Sequence, residues 1–248
     1  MPELPGARRL AALLLPALLA APALASTAGD RVVFLVGEGE YGSERTVPAF
    51  ARELAAETGL AAVVRQGAGR AMPEPPELGE AELLVLYLRF REPTGAQLAK
   101  LERWLDAGRP VLALRTTSHA FAAEELRGWF PPRFGGHYRA HAPNEEGTVA
   151  VAAPPAAGHP VLRGVPRVLE LAGGTYDAQP LADGAEVLLF GRTGGRPAQP
   201  VAWTFSLQPG QRLLYTSLGT EADFADRGFR NLLANAVLWC LGREVPPV

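Results

Sequence analysis

The strongest fold signal is the stretch RVVFLVGEGEYGSERTVPAFARELAAETG, residues 31–59. Its first part, RVVFLV, is an unbroken apolar run rich in β-branched residues, which is typical of a strand covered on both faces. Thr46 or Val47 precedes Pro48 at a predicted helix start, and Gly59 lies just past the predicted helix end. The stretch therefore predicts a buried strand, a polar loop and a helix in succession.

The same alternation continues to residue 114. Strands are predicted at 60–66 (LAAVVRQ), 82–90 (ELLVLYLRF) and 110–114 (PVLAL). Between the last two, Thr94 can cap a helix through QLAKLERWLDAG, whose leucines recur at helical spacing. Alternation of this kind indicates βαβ crossovers, so we expect an α/β protein with a mostly parallel sheet and helices on both faces.

The second half of the chain has a different pattern. Short strand candidates between Gly and Pro turns are GTVAVAA (147–153), RVLEL (167–171), AEVLLFG (185–191), QPVAWTF (199–205) and QRLLYTSLG (211–219). Their spacing predicts antiparallel additions to the same sheet rather than a separate domain. A last amphipathic helix is predicted within residues 223–242, and its apolar face includes Cys240, which is therefore expected in the core.

Residues 1–25 have the pattern of a secretory signal peptide. Arg8 and Arg9 precede an apolar stretch, and the segment closes on the small-x-small triplet Ala23-Leu24-Ala25. A retained membrane anchor is the alternative, but the apolar run contains prolines and is shorter than the roughly 20 residues that a bilayer requires. We therefore expect a secreted or periplasmic protein with no stable membrane span after cleavage, and one domain over residues 30–244.

Charge and composition exclude several classes of protein. The chain has 24 Lys and Arg against 26 Asp and Glu, a formal net charge of −2, which gives no basic footprint for nucleic acid. A single cysteine cannot form a disulfide framework within the chain. We therefore predict no nucleic-acid partner, whereas a homo-oligomer is compatible with the sequence.

Two polar loops follow predicted strands and carry the candidate site residues. In a doubly wound sheet, ligands bind outside the carboxyl ends of the strands, where the winding direction reverses. Ordinary capping or turn roles are the alternative for each residue alone, but the group predicts a shared crevice. The residues concerned are Glu38, Glu40 and Tyr41 after the first strand, and Arg115, Thr116, Ser118 and His119 after the fourth.

Two catalytic alternatives arise from the same part of the chain. Ser118 is disfavoured as a nucleophile, because Thr117 and His119 flank it where a nucleophile elbow requires small residues. His137 and His141 lie four residues apart, and with His119 as a third ligand they could hold a divalent metal. Two glycines before this pair and a proline after it argue against the helix that such spacing requires. No cofactor is predicted beyond this metal alternative.

Several of these segments together resemble the trehalose-utilisation (ThuA-like) family. They are GEGEYGSERTVPAFA, RTTSHAF, GGHYRAH, GHPVLRGVP, the PVAW strand and YTSLGTEADFADRGFRNLLANAVLWCLG, in this order between residues 32 and 242. The resemblance implies the flavodoxin-like fold of the class I glutamine amidotransferases. It also implies family histidines at His119 and His141, whereas Thr220 stands where the family usually has LGH. The elbow cysteine of those amidotransferases is absent, so Cys-dependent amide transfer is not expected.

The sequence therefore predicts an exported ThuA-like domain that binds a small polar ligand, with a saccharide as the favoured class. Charged side chains of the two loops would bind its hydroxyl groups, and a tyrosine would offer a ring face. The expected binding set is Glu38, Tyr41, Arg115, Thr116, Ser118, Tyr138 and His141.

Catalysis, if present, is expected to depend on His119. An unperturbed imidazole titrates close to working pH, so His119 is the candidate acid or base, with Glu40 as its partner carboxylate. One alternative is a non-catalytic binding or scaffold module. Another is a metal-assisted hydrolase or isomerase that uses His119, His137 and His141.

Overall fold

The computed structural model describes residues 30–247, which form one nine-stranded sheet with helices on both faces. The predicted signal peptide lies outside the described residues. The strands are β1 (Arg31–Gly37), β2 (Ala61–Gln66), β3 (Leu83–Leu88), β4 (Val111–Leu114), β5 (Thr148–Ala152), β6 (Val168–Leu171), β7 (Glu186–Arg192), β8 (Gln199–Phe205) and β9 (Leu213–Thr216). The helices are α1 (Ser43–Thr58), α2 (Gly95–Asp106), α3 (Pro131–Phe134) and α4 (Arg227–Cys240). Within residues 30–247, no helix has the length and apolar character needed to cross a membrane.

The strand order confirms the predicted fold class. It is β2-β1-β3-β4-β9-β8-β7-β5-β6. The four pairings β2–β1, β1–β3, β3–β4 and β4–β9 are parallel. This is the flavodoxin-like order, in which the winding direction reverses between β1 and β3. The other strands, β5 to β8, are antiparallel additions that extend the sheet on one side, as predicted.

The position of β9 corrects one detail of the prediction. The sequence predicts an antiparallel hairpin strand, but β9 is antiparallel only to β8 and pairs in parallel with β4. Every β9 residue is buried, because the strand lies inside the sheet. A short apolar run does not reveal which neighbour it pairs with. β9 and α4 therefore form the last unit of the parallel part, and β9 brings a third loop to its carboxyl edge.

The first turns of α2 and α1 are stabilised in different ways, the first by local sequence and the second by a tertiary contact. Thr94 is the N-cap of α2, as predicted, and it forms a capping box with Gln97. α1 begins at Ser43, earlier than the predicted start at Pro48. Pro48 cannot donate to the carbonyl of Glu44, but Gln66 Nε2 at the end of β2 donates to that carbonyl at 2.8 Å. This bond from a neighbouring strand explains why α1 tolerates an internal proline.

Alternating side chains of β1 contribute to two core layers, one on each face of the sheet. Phe34 contacts Phe50 of α1, with ring centroids 6.4 Å apart. Leu35 points to the opposite layer, which contains Trp104 of α2. Because both faces are covered, β1 reads as a continuous apolar run instead of an alternating one. Cys240 is buried in the core as predicted, and burial raises the pKa of its thiol.

The packing of α3 against β8 generates a stability prediction. Trp203 of β8 is fully buried and its Nε1 donates to the carbonyl of Phe134 at 2.6 Å. A Cβ atom at Gly136 would overlap the Trp203 ring, whereas one at Gly128 would meet no atom within 4 Å. We expect Gly136→Ala to lower the free energy of unfolding by about 1–3 kcal/mol.

Urea denaturation followed by circular dichroism measures this effect, with Gly128→Ala as the matched control. The control should leave the free energy of unfolding unchanged or slightly higher, since it removes backbone freedom from the unfolded chain without a clash. Equal stability of the two variants would contradict the close packing of Gly136 on Trp203.

Candidate functional site

The turn after β4 has a strained backbone that is held by hydrogen bonds. Arg115 has a φ of 40°, a left-handed conformation that residues other than glycine rarely adopt. Its carbonyl accepts hydrogen bonds from Tyr215 Oη at 2.6 Å and from Ser118 Oγ at 3.2 Å. These bonds stabilise the 3-10 turn Arg115–His119, through which the chain leaves the carboxyl end of β4.

The Arg115 side chain is enclosed by the protein, with 1% of its surface exposed. Nη1 donates to the carbonyl of Ser217 at 2.8 Å, and Nη2 donates to Asn144 Oδ1 at 3.1 Å. The guanidinium carbon lies 4.2 Å from the centroid of the Tyr41 ring and 5.1 Å from that of Tyr176. Both rings therefore stabilise the cation through their π faces. Arg115 thus joins the loops that follow β1, β4, β6 and β9 to the segment before β5.

His119 lies in a cluster of aromatic rings at the same edge. Its ring stacks on Tyr138 with a centroid distance of 4.0 Å and contacts Phe90 at 5.3 Å. Its Nδ1 lies 3.2 Å from Ser118 Oγ, so these adjacent residues do form a hydrogen bond. Burial, aided by the charges of nearby arginines, lowers the pKa of His119 from 6.5 to about 3. The imidazole is therefore neutral near pH 7, which favours a base or hydrogen-bond role over an acid role.

A cavity of about 420 Å³ opens beside His119. Its lining combines aromatic and aliphatic surface with a few polar groups, a composition typical of small-molecule sites. The predicted site residues that line it are Ser118, His119 and Tyr138. The other lining residues are Phe90, Ala120, Phe121, Ala122, Leu126, Arg127, Trp129, Phe130 and Arg139.

The loop after β1 approaches this edge but does not line the cavity. Glu38 Oε1 accepts hydrogen bonds from the backbone N–H groups of Glu40 and Tyr41, and it thereby shapes the loop. The Glu40 carboxylate pairs with Arg89 at 2.6 Å, whereas His119 Nδ1 faces Ser118. The two predicted loops meet where Tyr41 packs on Arg115, although β3 separates their strands in the sheet. Arg89, just after β3, pairs with Glu40 and lowers the pKa of His119.

The remaining predicted residues lie outside the cavity beside His119. Thr116 is fully buried. His141 is exposed, its Nδ1 lies 2.8 Å from the carbonyl of Ala142, and it lines a separate cavity of about 230 Å³ with Asp177 and Gln199. The crevice expected from sequence is thus divided, with His119 and His141 lining different cavities although both rings contact Tyr176.

The arrangement of the histidines bears on the metal alternative. His137 and His141 lie in extended backbone after α3, and not on one helix, in agreement with the glycines and proline around them. Among residues 30–247, no group of three or more His, Cys, Asp or Glu side chains is placed to hold a metal ion. The structure therefore does not bring His119, His137 and His141 together as a ligand set.

Several buried polar atoms at this edge have no hydrogen-bond partner among the described residues. They include Glu38 Oε2, Arg115 Nε, Thr116 Oγ1, Ser217 Oγ and Thr220 Oγ1. Each of these residues lies just beyond the carboxyl end of β1, β4 or β9. Buried polar groups are almost always satisfied, and exceptions concentrate where function competes with stability. Most of the unpartnered buried polar atoms of the described residues therefore lie at the carboxyl edge of the sheet, where the candidate site is.

Sequence reasoning missed four residues that organise the site: Arg89, Phe90, Asn144 and Tyr176. Arg89 and Phe90 end the predicted strand ELLVLYLRF, and a cation at the carboxyl end of a central strand was a usable signal. Asn144 donates to Tyr41 Oη at 3.1 Å and accepts from Gly174 N at 3.1 Å. Neither Asn144 nor Tyr176 carries a sequence signal, because each reaches the site from a loop remote in the chain.

The family model for trehalose utilisation, ThuA, matches residues 31–240. The chain belongs to the ThuA family. Among solved structures it is similar to a ThuA-like protein from Bacteroides uniformis, with 15% identity, a TM-score of 0.66, and coverage of 91% of this chain and 97% of that one. A ThuA-like protein from Parabacteroides merdae gives 14% identity, a TM-score of 0.67, and coverage of 89% and 93%. No curated protein matches the sequence significantly.

At these identities the solved structures show a shared ThuA-like fold and nothing finer. The turn after β4 carries Arg115, with its left-handed backbone, and no cysteine. The sole cysteine of the chain, Cys240, is buried in α4. Arginine cannot act as a nucleophile at neutral pH, because its guanidinium stays protonated. In this ThuA protein the Arg115 side chain instead contacts the neighbouring loops, through Ser217, Asn144 and Tyr41.

The depressed pKa of His119 generates a prediction about pH. Because the folded-state pKa of about 3 lies below the unfolded value of 6.5, the unfolded chain binds the extra proton between these values. His119 therefore contributes stability that is present above pH 6.5 and is lost as the pH falls towards 3. We expect the free energy of unfolding to fall over this window, and His119→Gln to reduce that slope.

NMR spectra of the imidazole nitrogens across the same window test the cause directly. The signals that disappear in His119→Gln should keep the pattern of a neutral ring at pH 5. A protonation midpoint near 6.5 for those signals would contradict the burial of His119.

Proposed function

We propose that the cavity beside His119 binds a small polar ligand, with a saccharide as the favoured class. The observation that carries this proposal is the juxtaposition, in one cavity of about 420 Å³, of aromatic faces with the imidazole and hydroxyl of His119 and Ser118. The volume lies in the range of small-molecule sites. Aromatic faces suit the apolar C–H surfaces of a sugar ring, while the polar groups suit its hydroxyls. The family's description as trehalose utilisation supports the same class.

The hydrogen bonds around His119 assign roles to its two nitrogens. Ser118 Oγ donates to the carbonyl of Arg115 at 3.2 Å, which leaves its lone pairs to accept a hydrogen bond from His119 Nδ1–H. In that tautomer Nε2 carries the free lone pair. We propose that Nε2 accepts a hydrogen bond from a ligand hydroxyl. If the ligand is turned over, the same nitrogen acts as the general base.

The proposed base is weak in the absence of ligand, because its pKa is about 3. Efficient proton transfer requires a pKa closer to working pH. Arg89 is the cation that both lowers the pKa of His119 and pairs with Glu40. We therefore propose that in a catalytic cycle the Glu40 carboxylate influences the pKa of His119 by pairing with Arg89, and not by direct contact with the imidazole.

A non-catalytic binding module is the second candidate function. It is favoured by Arg115 at the elbow, where the related fold carries its nucleophile, and by the low basicity of His119. Both candidates require the same cavity to bind ligand, and they differ only in turnover. We also propose export to the periplasm or the exterior, which the signal-peptide pattern of residues 1–25 supports.

Isothermal titration calorimetry with a panel of mono- and disaccharides, including trehalose, tests the proposed site. His119→Gln should weaken binding of any sugar that binds by about ten-fold, because it replaces the fixed imidazole Nε2 acceptor with a flexible amide that does not hold an acceptor at the same point. His159→Gln is the matched control, since His159 lies against Trp239, with ring centroids 5.2 Å apart, and outside the cavity lining.

The two candidate functions are separated by chromatography of the same mixtures after long incubation. New products that disappear with His119→Gln would establish catalysis, whereas binding without products would establish the binding module. Sugar binding that His119→Gln leaves intact would contradict the site itself.

A further inference from the structure

The lining of the cavity beside His119 is asymmetric in charge. It contains two arginines, Arg127 and Arg139, and no aspartate or glutamate. A site for neutral sugars gains from carboxylates, because they accept hydrogen bonds from ligand hydroxyls. Here the lining itself supplies charged donors and no charged acceptor. This excess of positive charge in the lining favours a ligand that carries negative charge over one that is only polar.

The two lining arginines are available to a ligand. Arg127 and Arg139 are exposed, whereas Phe121, Trp129 and Phe130 of the same lining are buried. The nearest carboxylate to Arg127 is that of Glu124, at 3.6 Å in an exposed pair, and such pairs contribute little. For Arg139, no carboxylate of residues 30–247 lies within ion-pair distance. Both guanidinium groups can therefore approach an anion.

Two further arginines reinforce the positive field from behind the wall of the cavity. Arg89 and Arg115 lie close enough to His119 to lower the pKa of its imidazole. Arg115 is buried beneath Tyr41 and Tyr176, where its charge is screened by solvent far less than that of a surface residue. The charge of Arg89 is offset by Glu40, at 2.6 Å. The hydrogen-bond partners of Arg115 are neutral, and its charge is offset in part by the buried carboxyl group of Asp223.

We infer that the cavity selects saccharides that carry an anionic group, a carboxylate or a phosphate, which binds Arg127 and Arg139 while the sugar ring packs on the aromatic lining. This inference rests on the proposed function, because it assigns a charge to the ligand of the same site. Guanidinium groups bind both kinds of anion through paired N–H donors, so the shared chemistry does not depend on which anion is present.

Calorimetry on the whole chain with matched neutral and acidic probes tests the inference. The pairs are glucose with glucuronate, glucose with glucose 6-phosphate, and trehalose with trehalose 6-phosphate. In at least one pair the acidic member should bind about ten-fold more tightly or better at low ionic strength, and added NaCl should reduce the ratio. The glucuronate and phosphate arms show which anion the site prefers.

The double variant Arg127→Gln/Arg139→Gln should bring the ratio of the two affinities to within about two-fold. The control Arg52→Gln/Arg227→Gln removes the same net charge from exposed positions of α1 and α4 and should leave the ratio unchanged. A preference that survives the first double variant, or that the control also abolishes, would overturn the assignment to Arg127 and Arg139.

The remaining outcomes separate this inference from the proposed function. Equal binding of neutral and acidic sugars would overturn the inference and leave the saccharide site standing. Binding of inorganic phosphate as tight as that of the sugar phosphates would retain the anion contact and overturn the sugar. No binding by any probe would overturn both.

Discussion

The buried guanidinium of Arg115 is the interaction on which the carboxyl edge of the sheet depends. It contacts the carbonyl of Ser217, the side chain of Asn144 and the faces of Tyr41 and Tyr176, which come from four separate segments. A cation in the interior is costly unless it is hydrogen-bonded or otherwise stabilised. Here Nη1 and Nη2 are hydrogen-bonded and the two rings stabilise the charge, whereas Nε has no partner among the described residues. The loops therefore assemble around one charge, and their relative positions are fixed by it.

The same residue positions His119 through its backbone. The left-handed conformation of Arg115 turns the chain sharply out of β4, and Ser118 Oγ links the Arg115 carbonyl to the imidazole. His119 is thereby held against Tyr138 in the cavity wall. The strained backbone at Arg115 thus supports the position of a histidine four residues later, through the two hydrogen bonds of Ser118.

The fold could be predicted from sequence because its signals are local. RVVFLV, ELLVLYLRF and the Thr94 capping box each fix an element through nearby residues, and their alternation fixes a parallel sheet. The site could be predicted only in part. The loops after β1 and β4 carry visible polar clusters, so Ser118, His119 and their edge of the sheet were accessible to sequence reasoning.

What sequence reasoning could not supply was long-range contact. Arg115 was expected to bind ligand, but Tyr41, Asn144 and Tyr176 enclose it, and their convergence follows only from the packed loops. The pKa of His119 likewise depends on burial, which no local pattern encodes.

The most direct test of the account is a crystal structure of the protein soaked or co-crystallised with a sugar that binds in solution. We expect the sugar ring to lie against Tyr138 and Phe90, with a hydroxyl within hydrogen-bond distance of His119 Nε2. A sugar bound instead in the cavity beside His141, or an imidazole turned away from the ligand, would contradict it.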